Sequence, residues 1–177
     1  MFLILNVLKK ATLVFAVVLG SVQLAAAGER DFLSFFESFE GSWRGNGSKT
    51  VLQGDGTQRE TPYQVELETD DTGRDQWTTS GEFRTRDGIT SYSRADFRVA
   101  GDNLYISTSG PNDPAEILQS SPRALVWRSY RTDWVLRRTF VFTTRLELTS
   151  HRDLAFEETV TFNGRRIESQ TATLRRR

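Results

Sequence analysis

Cysteine is missing from all 177 residues, and histidine occurs once, at His151. Without cysteine there is no disulfide, no thiol nucleophile, no thiolate metal site and no lipidated-cysteine anchor. A lone histidine with no carboxylate cluster spaced around it leaves no ligand set for metal-dependent hydrolysis, so no metal is expected. Glu157 and Glu158 are adjacent on what reads as a strand. They face opposite sides and cannot work as a paired acid and base. No serine sits in a nucleophile elbow, which argues against a Ser-His-Asp hydrolase. With no other catalytic constellation visible, no enzymatic activity is expected. A charge excess is missing too: 23 Lys+Arg stand against 23 Asp+Glu. That balance points away from nucleic acid as a partner.

Long apolar runs are confined to the N-terminus. Residues 1–27 read as a secretory signal: Lys9 and Lys10, then the apolar stretch "ATLVFAVVLG", then Ala25-Ala26-Ala27 as a small-residue cleavage site. The apolar run is shorter than the ~20 residues of a spanning helix. Cleavage near Ala27 is therefore expected in preference to an uncleaved anchor. Residues 28–177 form the single expected domain, with a net charge of about −2 once Lys9 and Lys10 are removed. No transmembrane helix is expected in that mature chain, and its expected location is periplasmic or secreted.

The segment 29–41, "ERDFLSFFESFEG", carries Phe32, Phe35, Phe36 and Phe39 on one helical face. Asp31 is the expected cap and Gly41 the expected stop. Beyond Gly41 the apolar period changes to two. Tyr63, Val65 and Leu67 alternate with polar residues, as do Ala95, Phe97 and Val99. Phe156, Val160 and Phe162 share one phase, and Glu158 falls within it. Turn signals such as "RDG" (86–88), "AGDN" (100–103) and "NG" (163–164) separate the runs. Eight to ten strands are expected, near 42–53, 60–70, 74–86, 89–99, 103–108, 115–120, 124–131, 134–149, 153–162 and 165–175. Tight turns make successive strands antiparallel neighbours. Closing such a meander removes its edges. The expected fold is an all-β, up-and-down antiparallel barrel with a short N-terminal helix, with a two-sheet sandwich as competitor.

A helix followed by Gly41-Ser42-Trp43 and a meander resembles the calycin superfamily, which includes lipocalins and fatty-acid-binding proteins. The longer stretch from Gly41 to Gly47 is similar to lipocalin-like and nitrobindin-like bacterial barrels. The resemblance implies that Gly41 and Trp43 close one end of the barrel, with a late-strand cation across the indole. Arg175 is the first choice for that cation and Arg176 the second, because strand parity is open by one residue. It also implies a small hydrophobic or amphipathic molecule as the partner. Nitrobindin-like barrels take haem on a histidine of the last strand, but "ESQTATLRRR" has none. Haem through one of Tyr63, Tyr92, Tyr105 or Tyr130 is a disfavoured alternative, so no cofactor is expected.

Ser91 and Ser93 share a phase with Ala95, Phe97 and Val99, and small side chains on an inward face leave space. Arg138 shares a phase with Trp134, Leu136, Phe140 and Phe142. An arginine in an apolar set needs a partner. Arg138 with Ser91, Ser93, Tyr92, Tyr105 and Trp127 is the candidate pocket, here for an amphipathic anion. The competing placement of Arg138 is a strand end, in water or beside Glu158. The competing function is an envelope module whose barrel is filled by its own side chains.

Overall fold

A computed structural model describes residues 28–107, 115–133, 135 and 137–177. The proposed signal segment, Trp134 and Leu136 lie outside the described residues. One helix, α1 (Glu29–Phe39), precedes ten strands: β1 (Gly41–Leu52), β2 (Gln58–Gly73), β3 (Gln76–Thr85), β4 (Thr90–Ala100) and β5 (Asn103–Ser107), then β6 (Glu116–Ser121), β7 (Ala124–Asp133), β8 (Arg138–Leu148), β9 (Asp153–Phe162) and β10 (Arg165–Arg176). All neighbouring strands pair antiparallel, in the order β5-β4-β3-β2-β1-β10-β9-β8-β7-β6. The meander closes through β1 and β10 into a nearly complete barrel. β5 and β6 are its edges, and among the described residues no ladder joins them. The strand expected from residue 134 begins at Arg138, just after Arg137 turns the chain at φ 49.

α1 packs against β4, β6 and β7, the strands beside that seam. Its phenylalanines Phe32, Phe35, Phe36 and Phe39 are fully buried. Burial of each such ring stabilises the fold by about 1.5–3 kcal/mol. Phe36 stacks on Trp77 with centroids 4.7 Å apart and lies 5.0 Å from Phe97. Phe97 meets Trp127 edge-on at 6.1 Å. The cap differs from expectation: Gly28 is the N-cap and supplies no side-chain bond, while Asp31 sits inside the first turn and donates its N–H to the Gly28 carbonyl. The helix stops at Glu40, and Gly41, at φ 111, turns the chain into β1.

Trp43 is buried next to this cluster, and its indole N–H donates to the Phe39 carbonyl at 2.8 Å. The cation above it is Arg176, 4.8 Å from the ring centroid, not Arg175. Register explains the correction. Trp43 pairs with Arg176, so the two side chains share the inner face, whereas Arg175 pairs with Arg44 on the outer face. Arg175 instead approaches Asp153 at 3.5 Å. Arg176 also donates to the carbonyls of Ser38 and Glu40, which ties the last strand to the end of α1.

Gly45 and Gly47 serve close approach. A Cβ on Gly45 would collide with the Thr173 carbonyl of β10, and one on Gly47 with the Thr171 carbonyl and the Tyr63 ring. Tyr63 crosses the bare Gly47 and donates its hydroxyl to the Thr171 carbonyl at 3.2 Å.

Candidate functional site

The barrel interior has two halves. On the α1 side the inner face is filled by Trp43, Trp77, Phe97, Leu125, Leu154 and Leu174, all buried in one cluster with the phenylalanines of α1. On the other side the seam widens. β5 pairs with β4 only from Asp96 onward, and β6 pairs with β7 only as far as Arg128. Among the described residues, 90–95 of β4 and 129–133 of β7 therefore have a ladder partner on one side only. Ser91 and Ser93 are inward by register, opposite Phe83 and Gly81, yet both are exposed. Solvent reaches the inner wall here. Phe83, Phe140, Phe142 and Phe162 share this half and are only partly buried. Phe140 and Phe162 pair at 5.5 Å.

A belt of polar side chains runs between the halves. One rung of the sheet carries Thr61 (β2), Lys49 (β1), Gln170 (β10), Glu158 (β9) and Thr144 (β8), and continues into Trp127 (β7). All lie on the inner face with Trp43 and Leu174. Gln170 Nε2 donates to Glu158 Oε1 at 2.7 Å, and Thr144 Oγ1 donates to Glu158 Oε2 at 3.1 Å. Lys49 pairs with Glu168, one inward position further out, at 2.7 Å. Glu158 thus has two hydrogen-bond donors, while the nearby lysine is engaged elsewhere. Burial pushes its carboxyl above the usual glutamate range, against the lowering effect of both hydrogen bonds. Tyr63 sits above the belt, and burial with the charge of Glu158 pushes its phenol up to about 12. Each Glu158 oxygen accepts one bond and has lone-pair capacity for another.

The sequence-predicted residues divide between the two faces. Ser91, Ser93 and Trp127 lie on the inner wall, with Trp127 in the packed half. Tyr92 is 77% exposed and pairs with Glu82 on the outer wall. Tyr105 is also outward, under Arg98 at 4.7 Å. Neither tyrosine lines the interior, because each sits one residue out of phase with its inward neighbours. Arg138 stands exposed at the start of β8, 5.5 Å over the Phe162 ring at the rim, rather than deep among apolar side chains or beside Glu158. Lys49, Glu158 and Gln170 were missed as a group. Their signal was present in outline, a charged or amide residue in an otherwise apolar phase on three strands, but only the register joins them.

Haem has no fitting ligand among these residues. Tyr63 donates to Thr171, Tyr92, Tyr105 and Tyr130 point outward, and His151 is exposed in the β8–β9 turn on the α1 side. Two shallow depressions, of about 410 and 370 Å³, lie on the outer wall. Asn46, Ser48, Thr171 and Thr173 line one, and Arg44, Gln64, Arg175 and Arg177 the other. They are open grooves over the bent β1–β10 wall rather than parts of the interior.

No family model matches the chain, and no curated protein matches it. Solved structures do. The S-type phycobiliprotein lyase CPES from Guillardia theta superposes with a TM-score of 0.59 at 13% identity, covering 82% of this chain and 92% of that one. The protein Rv2717c from M. tuberculosis gives 0.56 at 13% identity, covering 82% and 97%. A protein of unknown function of the DUF3598 family from Nostoc punctiforme gives 0.56 at 18% identity, covering 80% of this chain but 49% of its own. The likeness carries the fold alone, an antiparallel β-barrel, and shows no family.

Proposed function

We propose that the chain is an exported barrel that holds a small amphipathic molecule, non-covalently, in the half of its interior away from α1. The observation that carries this reading is the solvent-exposed inner wall at Ser91 and Ser93, facing a packed and closed opposite half. Phe140, Phe142 and Phe162 offer the apolar body of such a molecule a wall. Glu158, on the polar belt, takes a hydrogen-bond donor such as a hydroxyl or ammonium group at the inner end. Arg138 stands at the rim, so an acidic group reaches it only at the outer end. Export rests on the pattern of residues 1–27 and on nothing within the barrel. The reading is one of non-covalent binding and assigns no catalytic step.

Calorimetry with octylamine, octanol and octanoate tests the assignment. The amine and the alcohol are expected to bind with one-to-one saturation and octanoate more weakly, and Glu158→Leu should erase that order. Lack of saturable binding for all three rejects the carrier reading and favours a filled structural module. Preference for octanoate that is lost in Arg138→Leu moves the anchor to the rim.

A further inference from the structure

We infer that the open end of the barrel docks mouth-down on an anionic lipid bilayer. The described connections at that end belong to β1–β2, β3–β4, β7–β8 and β9–β10. Four large apolar side chains are exposed among the described residues, and all belong to this end. Ile89, 64% exposed, ends the β3–β4 turn, and Val135, 91% exposed, lies in the β7–β8 connection. Tyr92 and Tyr130 follow on the outer wall, each within three residues of a strand end at the mouth. Among the described residues the α1 end shows no counterpart. An apolar side chain that is free in water at two separate points of one rim has no partner within the barrel.

The same rim is cationic. Among the described residues, its turns and the two strand residues on either side of each carry Arg59, Arg84, Arg86, Arg137, Arg138, Arg165 and Arg166, all exposed, against Asp55, Asp87, Glu116 and Asp133. Asp55 accepts from Thr57 and Asp87 from Thr85, bonds from neutral hydroxyls that leave both carboxylates charged, and the arginines still outnumber the acids. Arg86, Arg165 and Arg166 form no ion pair with any described residue. A ring of arginine around apolar tips matches the two contributions of peripheral lipid binding: each cation near an anionic surface is worth ~1 kcal/mol, and apolar tips enter ~5–10 Å. Tyrosines just above the tips sit at headgroup depth. In this pose the widened seam and the inner phenylalanines face the bilayer. The docking surface stands whatever the interior binds.

Sedimentation of residues 28–177, which hold every described element, with vesicles of phosphatidylcholine and of phosphatidylcholine containing about one-third phosphatidylglycerol tests this. Leaving out residues 1–27 keeps their apolar run from anchoring the protein. Binding is expected to the anionic vesicles, weak to the neutral ones, and reduced by high salt. Ile89→Ser/Val135→Ser and Arg165→Glu/Arg166→Glu should each lower the bound fraction about tenfold, while Arg123→Glu/Arg152→Glu at the α1 end should not. Equal binding to both vesicles, no binding to either, or rim variants that sediment like the unmodified protein would overturn the assignment. So would an α1-end variant that loses as much as they do. Circular dichroism of each variant confirms that the barrel is intact.

Discussion

Arg176 holds its guanidinium carbon 4.8 Å over the ring of Trp43, and the adjacent Arg175 faces the other way, toward Asp153. One residue of parity separates a closing contact from a surface ion pair. Arg176→Leu removes the stacking and two hydrogen bonds to carbonyls at the end of α1, at an expected cost of about 2 kcal/mol. Arg175→Leu should cost well under about 1 kcal/mol, as exposed ion pairs do. Urea unfolding midpoints of the two variants check the difference, and equal midpoints would contradict it.

Gly47→Ala is expected to destabilise by about 2–4 kcal/mol, since the new methyl meets both a β10 carbonyl and the Tyr63 ring. Gly54→Ala, where nothing lies within 4 Å, serves as control and should change stability by less than about 1 kcal/mol. Thermal denaturation of both variants measures this. A Gly47→Ala protein as stable as the control would mean that β1 and β10 are less closely approached there.

The two halves of the interior should respond unequally to truncation. Phe36→Ala opens a hole between Trp77 and Phe97 and is expected to cost about 3–5 kcal/mol. Phe142→Ala trims a ring that is already partly exposed, with an expected cost of about 1–2 kcal/mol. Equal losses in chemical denaturation would argue that the second half is packed like the first.

Glu158 gives stability a pH dependence of defined sign. Its folded pKa is raised above the ordinary 4.5, so the folded state binds this proton more tightly than the unfolded state does. Its contribution is full below 4.5 and is lost as pH rises through the raised value. Glu158→Gln keeps an acceptor for Gln170 and gains a donor for Thr144, without a buried charge. The variant is therefore expected to be more stable than the unmodified protein at neutral pH, with the advantage fading as pH falls toward 4.5. Urea midpoints measured across that range check the slope, and an advantage that grows on acidification would reverse the assignment.

Much of the fold was legible because strand periodicity and tight-turn chemistry are local signals. The ten strands fall within a few residues of the runs marked by Tyr63-Val65-Leu67, Ala95-Phe97-Val99 and their turns. The stretch from Gly41 to Gly47 announced the closure that Trp43 makes. Parity at chain ends was less legible: Arg175 and Arg176 are adjacent and of one type, and only pairing with β1 separates them. The polar belt was least legible. Lys49, Glu158 and Gln170 lie on three different strands, and although Glu158 stands out within an apolar phase, only the register brings the three together. Tyr92 and Tyr105 misled because aromatic type was weighed ahead of phase. Asp31 misled because capping residues are also common in first turns, where Gly28 had already taken the cap.

In the proposed function, the half of the barrel away from α1 is open and receives a ligand. Fluorescence titration with N-phenyl-1-naphthylamine, comparing the unmodified protein with Ser93→Trp, tests it most directly. Ser93 lies on the exposed inner wall, so an indole there fills the space without displacing the packed half. Saturable binding is expected that weakens about tenfold or more in Ser93→Trp, with little change in the urea midpoint. Affinity unchanged by the indole, or no saturable binding by the unmodified protein, would contradict it.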